Sequence, residues 1–181
     1  MRTDPHLHYL DNAATTLVDP AVADAVNAAM RSCWANPSSL YEPAILAENK
    51  LSAARGKIAK TLGCAKDEIY FTACGSESNN LAILGAAIPR QSWGNKIVTT
   101  GFEHPSVQRP IRALKDRGFT VVEIPPEPDG SLDVQKLIDA VDKSTVLAAC
   151  MAVNNETGAV QDIARLAAGV KAQNSRTAVH I

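Results

Sequence analysis

A mainly parallel α/β sheet covered by helices on both faces is the fold this sequence predicts. Three observations carry it. From about residue 68, strand-like and helix-like stretches alternate. The apolar run 145–153 (TVLAACMAV) lacks polar alternation, as a strand covered on both faces should. Asp, Pro and Gly punctuate the helical stretches where starts and stops are needed. Right-handed crossovers then follow, giving three layers, α/β/α.

The elements read in order as follows. A first helix opens at Asp19, a candidate N-cap, with Pro20 in its first turn. A loop by composition, 36–42 (NPSSLYE), leads to a second helix over 43–62, closed by Gly63. The segment 68–72 (EIYFT) reads as a strand, 76–88 as a helix, and 96–100 (KIVTT) as a strand. A helix over 105–117 ends at Gly118, and 119–124 (FTVVEI) is a third strand. The turn-rich 125–130 (PPEPDG) precedes a helix over 134–141. The buried run 145–153 comes next, then a helix over 163–173, and 177–181 (TAVHI) begins a fifth strand. We expect a division into 1–67, a segment with two helices that contributes to the active-site face, and 68–181, the front part of a large domain that stops in its fifth strand.

Bulk composition excludes several classes. The 181 residues suffice for one domain with a sizeable core. Apolar residues make up 46% and charged ones 20%, with a net charge of −1, so nothing argues for nucleic acid or a membrane surface. The longest apolar stretch, 146–153, is far too short to span a bilayer. Residues 1–5 carry charge and lack the apolar core of a secretory signal, so a cytoplasmic protein is expected. The 4 cysteines, Cys33, Cys64, Cys74 and Cys150, form no C-x-x-C pair and have no His at ligand spacing. No metal site is expected, and free thiols are the simpler reading.

Three segments could carry chemistry. In 71–80 (FTACGSESNN), Gly75 and Ser76 stand where a turn enters a helix. Unpaired N–H groups and the helix dipole favour an anion there, and the Ser76 hydroxyl adds a donor. Gly and Ser also serve at such joints for turn and cap reasons alone. Glu103, His104 and Pro105 follow the 96–100 strand. An imidazole there can stack on an aromatic ligand or move protons, or it can merely cap or pack. Asn154, Asn155, Glu156, Thr157 and Gly158 follow the buried strand. They suit either a polar ligand or a capped turn. All three segments would emerge at one edge of one sheet, which favours a shared site.

The stretches 9–16 (YLDNAATT), 36–39 (NPSS), 77–83 (ESNNLAI), 103–104 (EH) and 153–158 (VNNETG) occur in this order. Together they resemble the cysteine desulfurases, within the class V aminotransferase family of pyridoxal 5'-phosphate (PLP) enzymes. The resemblance covers residues 9–181. It implies the large domain of a fold type I PLP-transferase, incomplete here, and a homodimer. It implies that sulfur is taken from L-cysteine, leaving alanine and an enzyme-bound persulfide that feeds a sulfur-acceptor protein for iron–sulfur cluster assembly or tRNA thiolation. By position, Gly75 and Ser76 would hold the PLP phosphate. His104 would stack on the pyridine ring and assist proton transfers, and Asn155 would hydrogen-bond near the ring hydroxyl. Asn12, Ala13, Ala14 and Thr15, with Asn36, Pro37, Ser38 and Ser39, would line the substrate side.

Two departures stand out. Cys74 occupies a place where the family usually has Gly. It reads as a small-residue substitution beside the phosphate turn, since the family's persulfide cysteine lies on a mobile loop far towards the C-terminus. The second departure is larger. His180 and Ile181 match the lead-in to the family's acidic partner of the pyridinium nitrogen, and that acid would lie beyond them. So would the Schiff-base lysine, the carboxylate-gripping arginine and the persulfide cysteine. The resemblance therefore implies that this chain by itself holds PLP weakly or not at all and is inactive. The readings are an enzyme part, completed by a second chain or simply truncated; a non-catalytic protein that kept the fold for binding or assembly; or another class V activity such as selenocysteine lyase.

Overall fold

The computed structural model describes His6 and residues 8–181. Residues 1–5, read above for a signal, lie outside the described residues. The chain falls into two compact units, one ending at Phe71 and the other Thr72–Ile181.

The first unit is helical. Helix α1 (Pro20–Ser32) starts where Asp19 accepts a hydrogen bond from Ala21 N–H at 2.8 Å, with Pro20 in the first turn. Its apolar stripe of Val22, Val26 and Met30 recurs every helical turn, yet each is more than half exposed. Helix α2 (Glu42–Leu62) buries only alanines, Ala44, Ala47 and Ala59. It ends at Gly63, whose φ of 68° lies in the left-handed region that favours glycine and lets its N–H return to Ala59 O.

The segment expected as the first strand, 68–72, is not one. A 3-10 turn (Lys66–Glu68) is followed by irregular backbone, with Tyr70 77% and Phe71 48% exposed. Strand propensity holds a strand only where a ladder partner exists, and this segment has none among the described residues. Arg55 instead holds its chain path, through Nε to Ile69 O at 3.1 Å and its guanidinium over the Phe71 ring.

The second unit is the sheet. Four parallel strands, β1 (Lys96–Thr100), β2 (Thr120–Ile124), β3 (Thr145–Ala149) and β4 (Ala178–His180), lie in the order β2-β1-β3-β4. Helices α3 (Gly75–Ala87) and α4 (Pro105–Lys115) bury Ile83, Val107, Ile111 and Leu114 against one face, where Ile97 and Val146 also pack. Helices α5 (Val134–Asp139) and α6 (Ile163–Gln173) bury Leu137, Ile138, Leu166 and Val170 against the other, with Val98 and Ala148. Neighbours Ile97 and Val98 serve opposite faces, as the period of a strand requires. Every residue of β3 is buried, the central position that its unbroken apolar run demands.

Strand β3 is shorter than 145–153 suggests. Its ladder with β4 ends once Cys150 N–H reaches His180 O at 3.0 Å. The next N–H, of Met151, turns to the Glu103 carboxylate at 2.8 Å. A long-range side chain thus ends the strand, not the local apolar pattern.

Candidate functional site

The carboxyl ends of β1, β3 and β4 and the starts of α3 and α4 line an open cavity of about 630 Å³. Parallel sheets offer ligand sites at this edge. Gly75, Ser76 and His104 line it; Asn155 does not.

The α3 start is built by its own side chains. Glu77 Oε2 reaches back to accept from Ala73 N–H at 2.6 Å. Thr72 donates to Cys74 O at 3.2 Å, and Ser78 Oγ lies 2.6 Å from Thr72 Oγ1. The N-cap, Cys74, gives the helix no side-chain bond. The first N–H groups of a helix have no acceptor within it, so those of α3 point outward with the positive end of its dipole. A Cβ built on Gly75 would meet nothing within 4 Å, so a ligand can approach this backbone closely. Cys74 is exposed and lines the same cavity.

His104 both caps and faces the site. Its Nδ1 accepts from Ser106 N–H at 3.1 Å, which starts α4. Ser106 Oγ lies 2.7 Å from the same nitrogen. Glu103 beside it is buried, with Oε1 accepting from the Thr100 hydroxyl at 2.6 Å and from Met151 N–H. Burial pushes its carboxyl pKa up, although both hydrogen bonds pull the other way. Burial also lowers the pKa of His180, whose Nε2 lies 3.1 Å from Asn79 Oδ1.

In 154–158 the capped-turn reading describes what Asn154 does. Its Oδ1 accepts from the N–H groups of Glu156 and Thr157, each at 2.9 Å, and its Nδ2 donates to Phe102 O at 3.2 Å. Asn155 is exposed on that turn. The proposed substrate-side residues belong to the first unit and form two turns. Ala14 and Thr15 N–H groups return to Asp11 O, and Tyr9 Oη donates to Asp11 O and Thr15 O. Asn36 Oδ1 accepts from Ser38 N–H at 3.0 Å, and Ser39 N–H returns to Asn36 O. Asn12, Ala13, Pro37 and Ser38 are exposed.

Sequence reasoning assigned no role to Asn79 or Ser106. Asn79 stands one helical turn after Ser76, on the face that follows the phosphate turn, and Ser106 two residues after a capping His. Both spacings were readable signals.

The sequence matches the family described as Aminotransferase class-V over residues 8–180. The chain belongs to the class-V aminotransferase family. It is 40% identical over 155 residues to a NifS/IcsS protein homolog of Lactobacillus delbrueckii subsp. bulgaricus, covering 86% of this chain and 40% of that protein. It is 37% identical over 158 residues to the cysteine desulfurase IscS of Dictyoglomus turgidum, covering 87% and 40%. A solved structure titled NIFS-like protein superposes with a TM-score of 0.90 at 35% identity, covering 94% of this chain and 47% of that one. Another, titled SspA in complex with cysteine, gives 0.88 at 35% identity, covering 95% and 49%. The chain thus spans less than half the length of these relatives.

Class-V aminotransferases are PLP-dependent, and the residues here fit part of that cofactor. The outward N–H groups of α3, the Ser76 hydroxyl and the open flank of Gly75 suit a phosphate. The exposed ring of His104 suits a flat heteroaromatic neighbour. Among the described residues no lysine lines the cavity, and the one acid that does, Glu103, already accepts two hydrogen bonds through Oε1. No described helix is long and apolar enough to cross a membrane.

Proposed function

We propose that this chain forms the phosphate-binding and histidine-bearing wall of a PLP-dependent cysteine desulfurase. The observation that carries the reading is the meeting of the α3 N-terminus and His104 in one cavity at the carboxyl edge of the sheet. Bound PLP supplies an electron sink that draws charge from an amino acid joined to it. The α3 N–H groups and Ser76 hold the dianionic phosphate by charge-assisted hydrogen bonds. His104 covers one ring face and moves protons beside it. Asn155, which stands outside the cavity on its exposed turn, would have to turn inward to meet the ring hydroxyl, and the turns at Asn12, Ala13, Ala14 and Thr15 and at Asn36, Pro37, Ser38 and Ser39 would serve the substrate side.

The substrate is L-cysteine, the products are alanine and a protein-bound persulfide, and the sulfur passes to an acceptor protein for iron–sulfur cluster assembly or tRNA thiolation. The working enzyme is a cytoplasmic homodimer, or an assembly in which a second chain supplies the lysine. We propose that the 181-residue chain by itself does not desulfurate cysteine.

Borohydride reduction of the chain with PLP, read by mass spectrometry, tests this alongside alanine release from L-cysteine. We expect no single stoichiometric PLP–lysine adduct and no alanine. Adding a chain that carries the rest of a relative's length should restore alanine release. A cysteine-dependent activity of the 181-residue chain would overturn the proposal; restored binding without any activity would favour a non-catalytic binding role.

A further inference from the structure

Four side chains at the cavity form one hydrogen-bonded line, and a single backbone group sets the direction of every bond in it. Ser106 N–H donates to His104 Nδ1 at 3.1 Å. A backbone N–H can only donate, so Nδ1 accepts and carries no proton. Ser106 Oγ lies 2.7 Å from that same nitrogen, so the hydroxyl donates to it too. With its hydrogen directed at Nδ1, Ser106 Oγ must accept from Asn79, and the atom 2.8 Å away is Asn79 Nδ2. The other end of the amide, Oδ1, can only accept. It lies 3.1 Å from His180 Nε2, which therefore bears a hydrogen. Both imidazoles, when neutral, carry their proton on Nε2.

We propose that Ser106 is a positioning residue that holds neutral His104 in its Nε2–H form, and that Asn79 is one that binds His180 into the same line. Nε2 of His104 has no protein partner among the described residues, while the side chain lines the cavity. The resting site therefore shows a ligand a hydrogen-bond donor at His104. For His104 to take a proton from a ligand, Nε2 must first give up its own, or Ser106 must turn away so that Nδ1 becomes the base. His180 is the far end of the line, 101 residues from Asn79 in sequence. The functional meaning of the line rests on the desulfurase reading; the line itself does not.

The test uses the 181-residue chain with 15N-labelled histidine. Long-range proton–nitrogen spectra are recorded without PLP at a pH where the imidazoles are neutral. We expect protonated-type signals from Nε2 and unprotonated-type signals from Nδ1 for both His104 and His180, assigned with His104→Gln and His180→Gln. In Asn79→Leu, His180 loses its acceptor and should shift to a mixture of tautomers, while His104 keeps its Nε2 proton through Ser106 N–H. In Asn79→Asp, a carboxylate faces His180, and its titration should move to higher pH. An Nδ1–H form of His104 in the unaltered chain would overturn the inference, as would a His180 indifferent to both Asn79 variants. PLP binding is followed in a separate titration. Its failure would remove the desulfurase reading and leave the tautomer result standing.

Discussion

Glu103 Oε1 accepts from Met151 N–H at 2.8 Å, tying the turn after β1 to the end of β3. The same oxygen takes the Thr100 hydroxyl, so one buried carboxylate shapes the wall on which His104 stands. Glu103→Ala leaves two donors without a partner and should cost about 2–6 kcal/mol of stability, at roughly 1–3 kcal/mol for each unpaired buried group. Glu103→Gln keeps an acceptor and should cost much less. The pH dependence has a definite sign. Burial raises the carboxyl pKa, so the native state binds its proton more tightly than the unfolded chain does. This contribution is fully present below the unfolded pKa and is lost as pH rises through the folded one. Urea denaturation across mildly acidic pH should show that loss in the parent chain and not in Glu103→Gln.

Asp142 has the opposite sign. Lys96 Nζ at 2.8 Å and the Ser144 hydroxyl at 2.6 Å hold its carboxyl well below the usual carboxylate range. Its contribution is present above the unfolded pKa and is lost as pH falls through the folded one. Asp142 is half exposed, so solvent screens the pair and its share is about 0.5 kcal/mol. A Lys96→Met, Asp142→Asn double-mutant cycle at two salt concentrations measures it, and the coupling should shrink at high salt.

Gly94 marks a close approach of backbones. A Cβ there would lie 2.3 Å from Ser144 O, beside the Lys96 N–H bond to that same carbonyl at 3.1 Å. Gly94→Ala must push the start of β1 from the turn before β3, and overpacking of this kind costs about 1–3 kcal/mol. Thermal unfolding of the variant checks it.

The cysteines should separate by reactivity. Burial, then the nearby Glu103 charge, pushes the Cys150 thiol up to about 12, and the residue is 1% exposed. The Ser32 hydroxyl at 3.4 Å, followed by Lys50, lowers that of Cys33. Iodoacetamide followed by peptide mass spectrometry should label Cys33 and exposed Cys74 well before Cys150. Because Cys74 lines the cavity, PLP should protect Cys74 and leave Cys33 labelling unchanged.

Local chemistry was legible where it is local. Asp19 with Pro20, Gly63 at the end of α2 and the bounds of α6 follow from capping and periodicity within a few residues. So does the central place of β3, from its unbroken apolar run. What could not be read depends on distant partners. Residues 68–72 have the composition of a strand and no ladder to join. β3 stops because Glu103, far away in sequence, takes the N–H of Met151. His104 lines the cavity after β1, as strand–turn–helix order suggests, and Gly75 and Ser76 line it from a turn-to-helix joint although no strand precedes them; the Asn79–Ser106 line needs α3, α4 and β4 side by side. Asn154, rather than Asn155, organises its turn because only the folded chain shows which amide points inward.

The most direct measurement is equilibrium binding of PLP and of pyridoxal, which lacks the phosphate, to the 181-residue chain and to Ser76→Ala and His104→Ala. The account predicts that PLP binds at least about tenfold more tightly than pyridoxal, since charge-assisted hydrogen bonds contribute about 1.5–3 kcal/mol each. Ser76→Ala should narrow that gap, and His104→Ala should weaken both ligands alike. Equal binding of PLP and pyridoxal, unchanged in both variants, would contradict it.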